Sequence, residues 1–309
     1  MNKNIRKPVI IHVHDKFCGG LGDFFKSIIT LYSYCNIENI DYYIDLSNNI
    51  YLNNCFVLRN IPENILNSEF IIIDMIDKIF TEESLYNLLN QIIYTEPKVY
   101  KLKSNCFGFG EKNILLNNIE FIKKNIIYPT NTVKYCINDI YKKYNIEEQK
   151  YISIHCRCGD LYINGNNMKD IFNDNRIDIN NDDLVNNINS IIIDFINKYN
   201  IIYPILIHSD SKEFKENIKK INNNIIILDL EIQHIANDLG KNNQESFIST
   251  IAEFYIISNA NKIFIINNYS GFSHIASIFE NKNLYINFKL NEFNNKIVKS
   301  LGPDNIINI

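Results

Sequence analysis

Polar residues that can bind a phosphorylated ligand follow three apolar, strand-like segments in the second half of the chain. They form three clusters: His155/Arg157/Asp160, His208/Asp210 and Ser270/Gly271/Phe272. Parallel strands present their carboxyl ends on one edge of a sheet, so we expect these clusters to lie near one another. An Arg keeps its charge and offers a fork of donors that suits a phosphate. The chemistry of this edge therefore fits a nucleoside diphosphate.

Each cluster also has a plainer interpretation. Arg157 can be an ordinary surface residue of a strand-to-helix loop. Asp210 can cap the helix that follows it, and Ser270 can cap a helix that begins at Ser273. In the ligand interpretation, Asp210 accepts hydrogen bonds from a base or ribose. Ser270 and the first amides of the last helix then hold an anion with the help of the helix dipole.

A glycine-rich segment, Gly19-Gly-Leu-Gly22-Asp23, lies between an apolar run at Val9–Val13 and a helical pattern predicted at Phe24–Tyr34. Gly20 and Gly22 permit a close backbone approach and leave N–H groups at a helix N-terminus for an anion. The segment lacks the full dinucleotide-binding fingerprint and the Gly-Lys-Ser/Thr ending of a P-loop. A turn with only a packing role is the alternative.

Strands that alternate with helices predict a parallel, doubly wound α/β fold. A chain of 309 residues accommodates two domains, and we place the boundary near residue 148, giving domains 1–148 and 149–309. In the first half the pattern predicts strands at Tyr42–Leu46 and Phe70–Asp74 and helices at Glu82–Ile93 and Thr132–Tyr144. The second half is predicted as Tyr151–Cys156, Asp182–Tyr199, Pro204–His208, Lys212–Lys220, Ile225–Leu230, Glu245–Asn259, Lys262–Ile266, Ser273–Phe279 and Leu284–Phe288.

Composition narrows the class of protein. The net charge of −4 comes without a Lys/Arg cluster, which argues against a nucleic-acid partner. The sequence contains no run of about eighteen apolar residues, so no membrane span is predicted. The apolar run Pro8–Val13 is too short for a signal peptide. The seven Cys are an odd number, and Cys35 and Cys136 sit in apolar runs. We therefore expect reduced thiols and a cytoplasmic location.

Four segments resemble motifs of the fucosyltransferase superfamily, which includes α1,2-, α1,6- and protein O-fucosyltransferases. Gly19-Gly-Leu-Gly22-Asp23 resembles its Gly-Gly-Leu-Gly-Asn loop, and Ile154-His155-Cys-Arg157-Cys-Gly159-Asp160 resembles its His-x-Arg-Arg-Gly-Asp motif. Ile207-His-Ser209-Asp210 resembles its Ser/Thr-Asp-Asp segment. The stretch from Glu253 to Ser258 and on through Asn268-Tyr-Ser270-Gly-Phe272-Ser273 resembles the last motif.

The resemblance implies a GT-B fold, in which two Rossmann-like domains face a central cleft. It implies inverting transfer of L-fucose from GDP-fucose to a glycan or protein hydroxyl, without metal or cofactor. Arg157 is implied to hold the β-phosphate, and His155 and Asp210 to contact guanine. Ser270, Gly271 and Phe272 are implied to touch the diphosphate. Asp160, Gly20 and Gly22 complete the donor-binding residues that the motifs suggest.

Two positions differ from the family pattern. Cys158 replaces the second Arg, as another residue does in protein O-fucosyltransferases, and Asp23 replaces Asn. A carboxylate beside a diphosphate is repelled unless it faces the acceptor. Asp23 is therefore a candidate general base, since an inverting displacement needs one within reach of the acceptor hydroxyl.

Two other functions stay open at the level of sequence. His12 and His14 end the first strand and, with His155 and His208, suggest a metal-dependent amidohydrolase barrel. That interpretation lacks an Asp in the last strands, where Asn267 and Asn268 stand, and leaves the glycine segment unexplained. The other alternative is a catalytically inactive module that binds a GDP-sugar or a glycan.

Overall fold

The protein is described by a computed structural model. It covers residues 7–14, 20–74, 82–94, 98–103, 112–156, 182–198, 202–209, 212–220, 223–230, 243–266, 270–287 and 306–308. The chain divides into two compact units, one formed by Met1–Cys136, Gln233–Ala252 and Lys296–Gly302, the other by Ile137–Ile232, Glu253–Asn295 and Pro303–Ile309. The domain boundary near residue 148 stays a prediction.

The first unit is built on a four-stranded parallel sheet. Its elements are β1 (Val9–Val13), α1 (Leu21–Ile37), β2 (Asp41–Asp45), α2 (Ile50–Asn53), β3 (Phe56–Leu58), α3 (Glu63–Leu66), β4 (Phe70–Asp74), α4 (Glu82–Ile93), β5 (Val99–Lys103), α5 (Lys112–Asn125), β6 (Ile127–Pro129) and the start of α6 (Asn131–Tyr144). The sheet order is β2-β1-β5-β4, and β3 and β6 form a separate antiparallel pair. All of β1 is buried, as expected for a central parallel strand.

The second unit is built on a six-stranded sheet, also parallel throughout. Its elements after α6 are β7 (Ile152–Cys156), α7 (Asp182–Lys198), β8 (Ile205–His208), α8 (Lys212–Lys219), β9 (Ile225–Ile227), α9 (Gln244–Ser258, divided between the units), β10 (Lys262–Ile266), α10 (Gly271–Phe279), β11 (Leu284–Asn287) and β12 (Ile306–Asn308). The order is β12-β11-β10-β7-β8-β9, which is the strand order of a Rossmann sheet. The parallel, doubly wound α/β fold predicted from the alternation is confirmed.

One face of this second sheet packs an apolar core. Ile152 and Ile154 of β7 point to the same face, where they join Ile192 and Phe195 of α7 and Phe214 of α8 in one buried cluster. Side chains alternate along a strand, so the residues between them point to the opposite face. Polar residues of β7 therefore lie on the face away from this cluster.

The structure corrects the starts of two helices. The first helix begins at Leu21, so Gly22 and Asp23 lie in its first turn and only Gly20 keeps a position ahead of it. The last helix begins at Gly271, so Phe272 and Ser273 belong to its first turn. Both starts were predicted later from the sequence, at Phe24 and Ser273.

Burial changes the pKa of two cysteine thiols, those of Cys35 and Cys55. Burial raises the pKa of the Cys35 thiol far above its usual range and that of Cys55 to about 12, although a hydrogen bond from Gln244 lowers the latter. The thiolate is the reactive form of Cys, so both side chains behave as small apolar groups at neutral pH.

Candidate functional site at the switch point of the second sheet

The strand order of the second sheet changes direction between β7 and β10, which is its topological switch point. From β7 the chain proceeds to β8 and β9 on one side, and it then returns to place β10 on the other side of β7. In open α/β sheets, ligands bind in the crevice at the carboxyl edge of such a switch point. The carboxyl ends of β7 and β10, at Cys156 and Ile266, both lie at this edge.

His155 joins the two strands of the switch point to the last helix. Its Nδ1 shares a short hydrogen bond with the Ser273 hydroxyl of α10, and its ring meets the Phe272 ring edge-on at 6.0 Å between centroids. The Phe272 ring packs in turn on Phe254 of α9, 5.6 Å away. His155 is buried. These contacts hold the first turn of α10 against the end of β7.

Ser270 occupies the N-cap position of α10, but it does not cap the helix with its side chain. Its carbonyl accepts the His274 N–H at 3.1 Å, whereas its hydroxyl is fully buried and has no hydrogen-bond partner among the described residues. Buried hydroxyls are nearly always bonded. An orphan hydroxyl beside the unsatisfied N–H groups of a helix N-terminus is suited to an anion that supplies the missing acceptor.

Space for such an anion exists at the neighbouring residue. A Cβ built on Gly271 would meet no atom within 4 Å. Neither crowding nor a left-handed backbone therefore requires Gly there. A ligand that approaches the first amides of α10 closely is a remaining reason for Gly at this position.

Both ring nitrogens of His208 form hydrogen bonds with protein side chains. Its Nδ1 lies 2.9 Å from Oε1 of Glu253 in α9, and its Nε2 lies 3.2 Å from the Ser153 hydroxyl of β7. Only 1% of the His208 side chain is exposed. The prediction from sequence grouped His208 with Asp210 and assigned no role to Ser153. One signal was available, because a carboxylate inside the apolar run Ile251–Ile257 requires a buried partner.

The candidate residues of the first unit surround the start of α1. Gly20 is the N-cap, with an extended backbone at φ −81° and ψ 175° and no side chain to cap with. Gly22 is buried in the first turn. Asp23, half-buried in the same turn, places a negative charge where the helix dipole favours it.

The barrel alternative is wrong. His12 lies in β1 of the four-stranded sheet, and His14 follows that strand. His155 and His208 lie at the ends of β7 and β8 in the six-stranded sheet. The described strands thus form two separate open sheets and not one barrel. Nδ1 of His12 lies 3.0 Å from the Tyr42 hydroxyl, and the ring of His14 meets that of Phe24 edge-on at 4.6 Å.

Three candidate residues lie outside the described part of the chain: Arg157, Asp160 and Asp210. Their roles stay predictions. The structure fixes the strand ends from which they follow, since Cys156 ends β7 and His208 ends β8. Those two strands are neighbours, and His155 pairs with His208 in register.

The fold is that of the GT-B glycosyltransferases: mixed α/β, with parallel sheets, as the resemblance implied. Several of the solved structures that it matches are fucosyltransferases. A variant of Arabidopsis thaliana FUT1 in complex with GDP matches with a TM-score of 0.59 and 12% identity over 94% of this chain and 72% of that chain.

Two further fucosyltransferases match over nearly the whole chain. NodZ α-1,6-fucosyltransferase, co-crystallised with GDP, has a TM-score of 0.55 and 12% identity over 88% of this chain and 92% of its own. The apo form of POFUT1 has a TM-score of 0.52 and 8% identity over 91% of this chain and 97% of its own. No family model and no curated protein sequence matches the chain. None of the helices in the described ranges is long and apolar enough to cross a membrane.

Proposed function

We propose that this protein is an inverting glycosyltransferase that moves L-fucose from GDP-fucose to a hydroxyl of a glycan or protein. The observation that carries the proposal is the buried, unpartnered Ser270 hydroxyl at the N-terminus of α10, beside the switch point of a Rossmann-ordered sheet. The matched fucosyltransferases that contain GDP support the choice of nucleotide.

In this proposal the donor's diphosphate lies against the start of α10. The Ser270 hydroxyl and the first amides of the helix bind phosphate oxygens, and the absent side chain of Gly271 leaves room for them. Arg157, which follows β7 directly, adds the positive charge. His155 and Asp210 contact guanine, and Phe272 touches the diphosphate.

The reaction breaks the bond between the anomeric carbon of fucose and the β-phosphate oxygen. The acceptor oxygen forms a new bond to the opposite face of that carbon, and GDP leaves with the electron pair. Arg157 and the helix N-terminus stabilise the charge that grows on the β-phosphate. Asp23 removes the proton of the acceptor hydroxyl. Catalysis in this proposal uses the protein's own groups and its two substrates.

Nucleotide selectivity tests the proposal most directly. We expect GDP to raise the melting temperature more than UDP or ADP at equal concentration, because the carboxylate of Asp210 matches the donor edge of guanine. Free ligand at about 100 times its Kd stabilises a protein by about 2.7 kcal/mol. Equal shifts for the three nucleotides would contradict the guanine assignment. GDP binding without turnover of GDP-fucose would favour the inactive binding module.

Removal of divalent metal is expected to leave turnover unchanged. Arg157 and the N-terminus of α10 supply the positive potential that a bound cation would otherwise provide to the leaving phosphate. Initial rates of GDP release should agree before and after dialysis against EDTA. A loss of rate that manganese or magnesium restores would show that the leaving group needs a metal.

Replacing Ser270 with Ala is expected to separate ligand binding from stability. Its hydroxyl makes no hydrogen bond among the described residues, so its loss should leave the free energy of unfolding within about 0.5 kcal/mol of wild type or raise it. GDP should bind about tenfold more weakly, as one hydrogen bond to a charged group is lost. Chemical denaturation and calorimetric titration measure the two effects.

Ser277→Ala is the matched control for this variant. Ser277 is a buried residue of the same helix, and its hydroxyl donates to the His274 carbonyl at 2.7 Å. Its loss should cost stability and leave GDP affinity unchanged. If Ser270→Ala behaves in the same way as Ser277→Ala, the Ser270 hydroxyl does not bind the nucleotide.

A further inference from the structure

Three buried polar side chains, Ser153, His208 and Glu253, form one chain of hydrogen bonds on the face of the second sheet opposite the apolar cluster of β7. The Ser153 hydroxyl lies 3.2 Å from Nε2 of His208, and Nδ1 of His208 lies 2.9 Å from Oε1 of Glu253. The chain links the central strand β7, its neighbour β8 and the helix α9. Its members are separated by 55 and 45 residues in sequence.

The order Ser–His–acid also occurs in the catalytic triads of hydrolases, but this arrangement does not suit a nucleophile. Ser153 is the second residue of β7, between two neighbouring strands, and none of its surface is exposed. A substrate carbonyl cannot reach such a hydroxyl. The chain of hydrogen bonds therefore has a positioning role and no covalent chemistry.

Of the two neutral tautomers of His208, one satisfies all three side chains. When His208 is neutral and protonated at Nδ1, it donates to the Glu253 carboxylate, and its Nε2 accepts the Ser153 hydroxyl proton. In the reverse tautomer, a bare Nδ1 would face the carboxylate, and two acceptors would oppose each other. The neighbouring carboxylate thus selects the tautomer, as second partners of His do in other sites.

We infer that Ser153, His208 and Glu253 are positioning residues for the nucleotide end of the proposed donor site, with His208 held as its Nδ1–H tautomer. This inference rests on the proposed function. His208 is the last residue of β8, and the chain continues through buried Ser209 to Asp210, the proposed guanine acceptor. On the other side, His155 pairs with His208 in register and contacts Ser273 and Phe272.

The functional consequence is a fixed direction for the chain where it leaves β8. A His locked at both ring nitrogens cannot rotate, so the backbone of His208 and Ser209 keeps one orientation. A nucleotide that contacts this end of β8 then meets a backbone in one orientation, which raises affinity by lowering the cost of ordering. The side chains themselves need not touch the nucleotide.

Two variants test the inference in the full-length protein. Ser153→Ala removes the hydroxyl with little change in volume, and His208→Asn keeps a donor near the Nδ1 position but loses the bond to Ser153. Both should weaken GDP binding by about tenfold. Ser258→Ala is the matched control, because Ser258 is buried on α9 and its hydroxyl donates only to the Tyr255 carbonyl among the described contacts, at 2.9 Å.

The control separates positioning from general stability. Ser258→Ala should lower the melting temperature about as much as Ser153→Ala and leave the Kd for GDP unchanged. Heteronuclear NMR of ¹⁵N-histidine-labelled wild-type protein adds a direct readout of the His208 tautomer. We expect a bound proton at Nδ1 of His208 and none at Nε2, with the signal assigned by its loss in His208→Asn.

The outcomes are distinguishable. Wild-type protein that binds no GDP overturns the proposed function and this inference with it. Wild-type protein that binds GDP, together with Ser153→Ala and His208→Asn variants that bind it within about twofold, overturns the positioning role alone, by the same affinity arithmetic. An Nε2–H tautomer of His208 also overturns it. Weakened binding in both variants, beside an unchanged control and the Nδ1–H signal, supports it.

Discussion

Arg157→Ala is expected to lower turnover of GDP-fucose by roughly 10²–10³-fold, the scale seen when one charge-stabilising donor is removed from an active site. In the proposed reaction, negative charge grows on the β-phosphate as the bond to fucose breaks. A fixed cation interacts more strongly with that charge than with the ground state, so its loss appears in kcat. Cys158 follows it, so no adjacent Arg can substitute.

Arg157→Lys should restore little of the lost rate. The ammonium of Lys is a point charge, whereas a guanidinium donates two parallel hydrogen bonds to phosphate oxygens. A partial rescue of GDP affinity without a rescue of kcat would fit this difference. Steady-state release of GDP from GDP-fucose, measured at several donor concentrations, separates the two parameters.

Arg59→Ala is the control for the removal of an arginine. Arg59 lies in the first unit, where its guanidinium stands 4.7 Å from the centre of the Tyr43 ring and donates to the Tyr42 carbonyl at 3.4 Å. Its loss should cost stability and spare turnover. A folded Arg157→Ala variant whose turnover stays within about threefold of wild type would remove Arg157 from the mechanism.

The strands whose positions were predicted well from the sequence are those buried on both faces of the sheet. Three of the five residues of β7 and four of the five of β10 are apolar, and nearly every position of the two strands is buried, since neighbouring strands and helices cover them. The strand at Lys262–Ile266 was predicted with both of its ends correct. The short elements β3, β6 and α2 were missed. Three or four residues are too few for a periodic pattern to emerge.

Composition hid other elements. The helix α5, at Lys112–Asn125, is rich in Asn and Lys, which resembles loop sequence in this Asn-rich chain. The edge strand β12 has three residues, and its place beside β11 depends on a long-range pairing. Ile306–Asn308 forms the outermost strand of the second sheet.

The site was predictable where it depended on strand ends and not where it depended on partners. That His155 and Ser270 approach one edge follows from the alternation of strands and helices. That the Ser270 hydroxyl lacks a partner, while His208 has two, depends on distances between segments far apart in sequence. Hydrophobic patterns carry no information about such pairings, which explains why His208 was grouped with ligand-facing residues.

Asp23→Asn is expected to lower turnover by about 10²–10⁴-fold, the range for loss of a positioned general base. A neutral amide is nearly the same size as the carboxylate but cannot take the proton from the acceptor hydroxyl. GDP affinity should stay unchanged, because none of the proposed nucleotide contacts is made by the Asp23 side chain. The cost in stability should be about 0.3–1 kcal/mol, from loss of a negative charge in the first turn of α1.

The family that the chain resembles has Asn at this position, which makes the substitution decisive. If Asp23 only stabilises α1, D23N replaces it with a residue that the fold accepts, and turnover should hardly change. If Asp23 is the base, the protein keeps its fold and its GDP affinity and loses its rate. Asp41→Asn is the control, since Asp41 begins β2 at the opposite edge of the sheet and pairs with Lys7 at 2.8 Å. Near wild-type GDP release by D23N, in the presence of acceptor glycans, would assign the base to another residue and leave Asp23 as a helix-stabilising charge.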